Sequence, residues 1–425
     1  MRAFEVFLEI AGQSVLVGSL KEGSAEQAVF CYDDAYLSSP DAQAISVSLP
    51  LKPEPFSEEE TRCFFEGLLP EGFTRRAVAE RMHLPEYDFL SLLYGLGKEC
   101  LGAIRVSAGE PSEVAYERLT MEEIKALAKE GAMKSAEVLM KTHLSLTGAS
   151  GKVGLYFEEK EGAWYLPKGT APSTHIVKQS HVRLHDIVVN ETMSLRAAAR
   201  LGIEVPDSFI LEADTGIDDT YLFATKRFDR VFSDAPKFCG DLPIPLRLHQ
   251  EDFAQALGIS SSRKYEPAGE HYLARMFRLL REGSLAPMID QQRLWDRIVF
   301  NVLLGNTDAH IKNFALVYTP DLTGYSLAPA YDLLCTTMYP SSTREMAFHI
   351  GDHTSIDEVT REDLEEAAEE SGMGTRFALR RFDQICDRFE QSVTEAAEEM
   401  SEQGFQNAGK VKEAILQTGA YRRMI

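Results

Sequence analysis

Gly305-Asn306-Thr307-Asp308-Ala309-His310-Ile311-Lys312-Asn313-Phe314 is the stretch on which the reading of this chain turns. Before it, Trp295, Ile298, Val299, Val302 and Leu303 recur at i, i+3, i+4, i+7 and i+8, the period of an amphipathic helix. Gly305 marks the stop of that helix. Beyond the stretch, the segments 314–318 and 325–327 predict a short hairpin. A polar loop held between a helix end and a hairpin can present side chains at fixed positions.

Asp308 and Asn313 have the D-x4-N spacing of a phosphoryl-transfer loop. The carboxylate accepts or orients the proton of an attacking hydroxyl, and the amide oxygen one loop-turn later faces magnesium. Alone the spacing is weak, since it arises by chance about once in a chain of this length. Asp332 follows 19 residues after Asn313, at the far end of the hairpin, where a carboxylate suits the second side of a magnesium site. By itself it also reads as an ordinary turn aspartate.

Further upstream, Thr174-His175-Ile176-Val177-Lys178 reads as a strand ending in a lysine. Such a lysine can neutralise phosphates, with Glu191 in the next helix to be considered as its partner, or it can be an edge-strand lysine in solvent. Leu144-Ser145-Leu146-Thr147-Gly148-Ala149-Ser150-Gly151-Lys152 is a small-residue loop before a strand. Its backbone N–H groups could approach phosphate oxygens. It is not a Walker A loop, because Leu146 stands where glycine is needed and Val153 follows the lysine. A plain turn is the bland alternative. Ala224-Thr225-Lys226-Arg227-Phe228-Asp229-Arg230 is a strand entering a polar turn, able to offer backbone groups to an adenine edge. Each piece is weak, but their order along the chain is that of kinase parts.

The chain has 425 residues, 44% hydrophobic and 26% charged, an ordinary globular composition with room for two or three domains. Its 66 acidic against 44 basic residues give a net charge of −22, which disfavours direct binding to nucleic acid and to anionic membranes. Residues 351–405 alone carry 16 acidic and 5 basic residues, read as a solvated helical face. No uncharged apolar run approaches the ~20 residues of a membrane span, and Glu5 and Glu9 interrupt any signal-like core. Six scattered cysteines without CxxC fit a reduced, cytoplasmic protein. The pairs His181/His185 and His349/His353 could clip a metal, although surface or core histidines are the plainer reading.

The expected organisation is α+β. Residues 4–17 alternate as a strand pair turning at Ala11-Gly12-Gln13, and Ser57 with Glu60 is a capping box. A second helical stretch covers 74–82. Short strands at 153–157, 163–166, 174–178, 208–212 and 221–228 surround one helix at 190–201. Helices at 361–371, 376–400 and 409–422 close the chain. The domains are expected at 1–109 (an N-terminal subdomain), 110–230 (a β-rich nucleotide-binding lobe) and 231–425 (a mainly helical lobe with the Asp308 loop and Asp332).

The sequence resembles the HipA-type serine/threonine kinases, the toxin half of HipBA toxin–antitoxin modules, over nearly its whole length. The resemblance runs through Ser48-Leu49-Pro50-Leu51, Phe65-Glu66-Gly67-Leu68-Leu69-Pro70, Gly102-Ala103-Ile104, Pro167-Lys168-Gly169, Asn190-Glu191, Lys226-Arg227-Phe228-Asp229-Arg230, Gln250-Glu251-Asp252 and Tyr331-Asp332. Its most specific string is Asn306-Thr307-Asp308-x-His310-x-Lys312-Asn313-Phe314. The resemblance implies a two-lobed kinase-like fold (HipA / PI3-4-kinase-like), ATP and Mg²⁺ as cofactors, Asp308 as catalytic base, and Asn313 and Asp332 as magnesium ligands. It further implies Lys178 on ATP phosphates and Thr147, Gly148, Ala149, Ser150, Gly151 and Lys152 as the phosphate loop. The Lys226, Arg227 and Phe228 backbone would meet adenine, with His310 and Tyr331 beside the nucleotide. Ser145 matches the family's autophosphorylated serine, with Ser150 as a rival acceptor. A HipB-like helix-turn-helix antitoxin, DNA reached through that antitoxin, and a cellular protein substrate, an aminoacyl-tRNA synthetase in better-known members, are the implied partners. The alternative is a catalytically weak, kinase-like co-repressor subunit.

Overall fold

The computed structural model describes residues 3–24, 27–97, 99–107, 113–127, 137–139, 151–179, 184–212 and 221–425. The chain folds into two compact units that interleave in sequence: 1–180, 211–261 and 317–323 form the first, and 181–210, 262–316 and 324–425 the second.

The first unit opens with strands β1 (Ala3–Ile10), β2 (Gln13–Ser24) and β3 (Gln27–Tyr32). With β4 (Ile104–Ser107) they form a sheet ordered β3-β2-β1-β4. Alternation explains its buried face: Phe4, Val6 and Leu8 are buried while Ala3 and Glu5 are exposed. The turn between β1 and β2 puts Ala11 and Gly12 at positive φ, as a tight hairpin requires. Helices α1 (Glu58–Phe65), α2 (Gly72–Arg81) and α3 (Phe89–Leu96) belong to the same unit. The Ser57 capping box on α1 forms as expected, whereas α3 is a helix the sequence reading does not contain. Strands β5 (Ala115–Arg118), β6 (Lys152–Glu158), β7 (Ala163–Lys168) and β8 (His175–Gln179) follow. Together with β10 (Tyr221–Lys226) they lie side by side as β5-β7-β6-β8-β10. The strand β9 (Ser208–Glu212) returns the chain to this unit.

A buried ionic cluster ties the first unit across the expected 109/110 boundary. Glu99 sits among Arg227, Arg230 and Arg247, with N–O distances of 3.3, 2.8 and 2.7 Å. Asp229 accepts from the Arg227 Nε at 2.8 Å, from the Gly102 N–H at 2.7 Å and from Gln250 at 3.0 Å. The cationic neighbours outweigh desolvation and hold Glu99 at about 2 and Asp229 below its usual range. Nearby, the Glu251 carboxylate accepts from Ser46 Oγ at 2.5 Å, from the Val47 N–H at 3.1 Å and from the Tyr318 hydroxyl.

The second unit contains α4 (Ile187–Arg200), α5 (Tyr272–Gly283), α6 (Pro287–Leu304), α7 (Arg361–Glu370), α8 (Thr375–Glu402) and α9 (Ala408–Thr418). Sequence order places α4 in the β-rich lobe, but its side-chain partners place it here. Arg196 and Arg200 on α4 pair with Glu399 on α8, and Asn190 exchanges hydrogen bonds with the Cys335 backbone, 2.9 Å each way. On α8, Phe382, Ile385, Phe389, Val393, Ala396 and Met400 form the buried stripe. Asp387, Glu390, Glu395 and Glu398 occupy its exposed face, so the acidic run is largely a solvated surface there. The short strands Glu345–Ile350 and His353–Ser355 interrupt this mainly helical unit. All six cysteines are free thiols. No described helix is long and apolar enough to cross a membrane.

Candidate functional site

The loop at 305–314 is built by its own backbone. Pro287 starts α6 and Gly305 ends it in the left-handed region, φ 82°. A Cβ at Gly305 would meet Thr337 Oγ1 at 2.2 Å, so the tight exit needs glycine. Asn306 then donates to Asn301 Oδ1 at 2.9 Å and to the Asp332 carbonyl at 3.1 Å, tying the loop to the segment that carries Asp332. The Thr307 N–H donates to Thr336 Oγ1 at 2.8 Å. The Asp308 carbonyl accepts from the His310 N–H and from the Asn313 side-chain amide, both at 2.8 Å. With Nδ2 engaged, Asn313 has its Oδ1 as the remaining acceptor. The Asp308 carboxylate is exposed and accepts a 2.5 Å hydrogen bond from the Tyr265 hydroxyl.

Asp332 has φ 52°, a left-handed backbone that is uncommon outside glycine, asparagine and aspartate. Such strain is kept where surrounding structure fixes it, and it recurs at functional positions. Tyr331 donates from its hydroxyl to the Lys312 carbonyl at 2.9 Å. His310 is buried, with its ring edge-to-face against Tyr265 at 5.4 Å. Arg297, buried on α6, donates to the Ala328 carbonyl and supports the chain just before Asp332. Thus Asp308, Asn313, His310, Tyr331 and Asp332 all belong to one hydrogen-bonded substructure of the second unit. An amide oxygen and a carboxylate are hard oxygen donors, the set that suits Mg²⁺.

In the first unit, Lys178 on β8 lies opposite Lys152 on β6 and opposite Phe223 on β10. Its ammonium lies 5.4 Å from the Phe223 ring centroid. Like charges directly opposed on a sheet repel. Glu191 is buried on α4 in the second unit. Of the predicted adenine-contacting residues, Lys226 is half-exposed with its ammonium 3.6 Å from Glu159. Arg227 is held through both its backbone and its side chain. Its N–H donates to the Thr174 carbonyl at 2.9 Å, and its guanidinium is consumed by Glu99, Asp229 and Ser173. Phe228 is half-buried. Gly151 and Lys152 are described, whereas Ser145, Thr147, Gly148, Ala149 and Ser150 lie outside the described residues.

The His349/His353 pair does not converge on one point. His353 Nδ1 pairs with Asp363 at 2.7 Å, while His349 is held by Glu266 at 2.5 Å. A carboxylate beside each ring draws the two histidines apart. His181 lies outside the described residues. Tyr265 and His271 carry no sequence signal, since no motif or periodicity surrounds them.

Comparison with known proteins shows the family. Residues 144–395 match the HipA-like C-terminal domain family and residues 8–107 match the HipA N-terminal domain family. The chain belongs to the HipA family. Y4mE of Sinorhizobium fredii is 32% identical over 396 residues, covering 91% of each chain. The serine/threonine-protein kinase toxin HipA of Shewanella oneidensis is 29% identical over 354 residues, 80% of this chain and 78% of the relative. The fold matches HipA from the Shewanella oneidensis complex of HipA, HipB and operator DNA with a TM-score of 0.80. That match has 24% identity and covers 99% of this chain and 97% of the other. The HipA-like, α+β architecture expected from the sequence is therefore the one found.

Proposed function

We propose that this HipA-family chain is an ATP- and Mg²⁺-dependent protein serine/threonine kinase that acts as the growth-arresting toxin of a toxin–antitoxin module. The observation that carries the proposal is the Asp308 carboxylate, already accepting a hydroxyl at 2.5 Å from Tyr265. A substrate serine or threonine hydroxyl presents the same donor. Asp308 would orient that hydroxyl and take its proton as the oxygen attacks. Asn313 and Asp332 would hold Mg²⁺. Lys178 and Lys152 would receive phosphate oxygens, and the Lys226, Arg227 and Phe228 backbone would border adenine. His310 and Tyr331 would flank the nucleotide. Bound Mg-ATP supplies the transferable phosphoryl group and much of its charge neutralisation. What the chain's own residues add is chiefly position: the Asn306 and Asn313 amides fix the loop before any substrate arrives.

The kinase names among its relatives support this reading, as does the HipA–HipB–DNA complex in which the similar structure occurs. By the same reasoning the partner is a HipB-like helix-turn-helix antitoxin, DNA is reached through it, and Ser145 is the autophosphorylated serine. An aminoacyl-tRNA synthetase is the substrate class that the family resemblance suggests. The three-part division at 1–109, 110–230 and 231–425 is kept as a functional one, with the first two parts fused by the Glu99 cluster. The test is transfer of γ-phosphate to the chain itself and to proteins of a cell extract. Phosphate found on Ser145 by mass spectrometry supports the regulatory assignment; phosphate on Ser150 alone moves it there.

A further inference from the structure

In the second unit, apart from the Asp308 loop, four side chains converge from different elements. His271 stands at the residue just before α5, His349 lies on the Glu345–Ile350 strand, Glu370 ends α7, and Glu266 precedes α5. One ligand atom from each of His271, His349 and Glu370 falls within 4.8 Å of the others. Glu370 Oε1 lies 2.9 Å from His271 Nδ1, and Glu370 Oε2 lies 3.4 Å from His349 Nε2. Behind them, Glu266 accepts from His349 Nδ1 at 2.5 Å, from the His349 N–H at 2.9 Å and from the Tyr272 N–H at 2.5 Å.

We propose that His271, His349 and Glu370 form a binding site for a first-row divalent cation of the zinc class, with Glu266 as the carboxylate that orients His349. With Nδ1 engaged by Glu266, Nε2 is the ring nitrogen that faces Glu370 and would bind the ion. Their 3.4 Å separation is the spacing of two ligands each about 2 Å from one tetrahedral ion, which would take the place of a proton between them. Charge points the same way. Glu266 and Glu370 place two carboxylates around one imidazole, and a divalent ion balances both without requiring either histidine to be protonated. Two imidazoles and one carboxylate are the three-ligand set of open zinc sites, and a ligating histidine is usually backed by a carboxylate as His349 is here. The His271 side chain is 65% exposed, so water can complete the coordination.

The site has a structural consequence for the loop. Tyr265 precedes Glu266 directly and holds Asp308 through its hydroxyl. A cation joining His271, His349 and Glu370 would pin both ends of the 265–271 segment. It would thereby fix how Tyr265 is offered to Asp308.

Cobalt is the probe, because its visible d–d bands report coordination number. Tag-free protein is stripped with chelator and titrated with Co²⁺ alone. The expected result is an intense spectrum of a four- or five-coordinate ion saturating at one ion per chain and displaced by Zn²⁺. His271→Ala, at an exposed position that leaves the fold intact by circular dichroism, loses the spectrum. Asp332→Asn, which alters the magnesium set, keeps it. Absence of these bands in the wild type, their persistence in His271→Ala, or their loss in Asp332→Asn overturns the proposal. In each of those cases the His349–Glu370 contact is an ordinary protonated ion pair or the ion sits elsewhere.

Discussion

On the proposed kinase reading, Tyr265 occupies the place on Asp308 that a substrate hydroxyl would take. Its hydrogen bond to a charged, solvent-accessible carboxylate contributes about 1 kcal/mol. Tyr265→Phe is therefore expected to raise the initial rate of phosphate transfer to a protein acceptor by roughly fivefold, read from radiolabel incorporation at fixed Mg-ATP. A fall in rate would mean that Tyr265 assists the reaction. Asp308 and Asn313 stand out in the sequence because a loop of this kind gathers its polar groups in a few neighbouring positions. Tyr265 is not, because it reaches Asp308 from 43 positions away. Glu251 illustrates a second residue-level effect. Burial pushes its carboxyl up to about 7, against hydrogen bonds from Ser46, Tyr318 and the Val47 N–H. The folded value exceeds the unfolded value of about 4.5, so the folded state binds the proton more tightly. Its contribution is complete below about pH 4.5 and is lost as pH rises through about 7. Glu251→Gln should flatten that slope, gaining about 3 kcal/mol over wild type between about pH 4.5 and 8 in urea unfolding. Parallel pH profiles for the two proteins would refute it.

Among the elements, the strands β6 to β10 and the helices α4, α6, α7 and α8 follow the sequence pattern to within a few residues, since period 2 and period 3.6 are local signals. The Glu99 cluster is invisible for the opposite reason. Its partners stand 128, 131 and 148 positions from Glu99, and each guanidinium alone reads as a surface arginine. Arg227 shows the consequence: a residue expected at adenine through its backbone has a side chain that ties the end of β10 to the loop bearing Glu99. Glu99→Ala leaves three buried arginines under-compensated and should cost about 3–5 kcal/mol in urea unfolding of the first unit. A loss below about 1 kcal/mol would show that the cluster is not what holds the N-terminal sheet to the β5–β10 sheet. Lys178→Ala tests the paired lysines on β6 and β8. It should raise the KM for ATP about tenfold while the protein remains folded; an unchanged KM would return Lys178 to an ordinary sheet lysine.

For the whole molecule, the charge of −22 excludes a broad nucleic-acid footprint but suits a basic partner. Much of the acidic 351–405 region is exposed on α7 and α8, while Asp383, Glu399 and Asp363 are spent on Arg361, Arg200 and His353. Reversing Glu362, Glu365, Glu366 and Glu369 to lysine should slow association with a basic helix-turn-helix antitoxin, most visibly at low salt. Unaltered association rates would leave this face a solvated surface. The central claim, however, is phosphoryl transfer through Asp308, and one assay bears on it most directly. Purified wild type and Asp308→Asn are incubated with γ-labelled ATP and Mg²⁺, and phosphate on the chain is counted. Wild type should label itself, with the variant slower by roughly 10²- to 10⁴-fold at an unchanged circular dichroism spectrum. Equal labelling of the two proteins, or none in the wild type, would contradict the account.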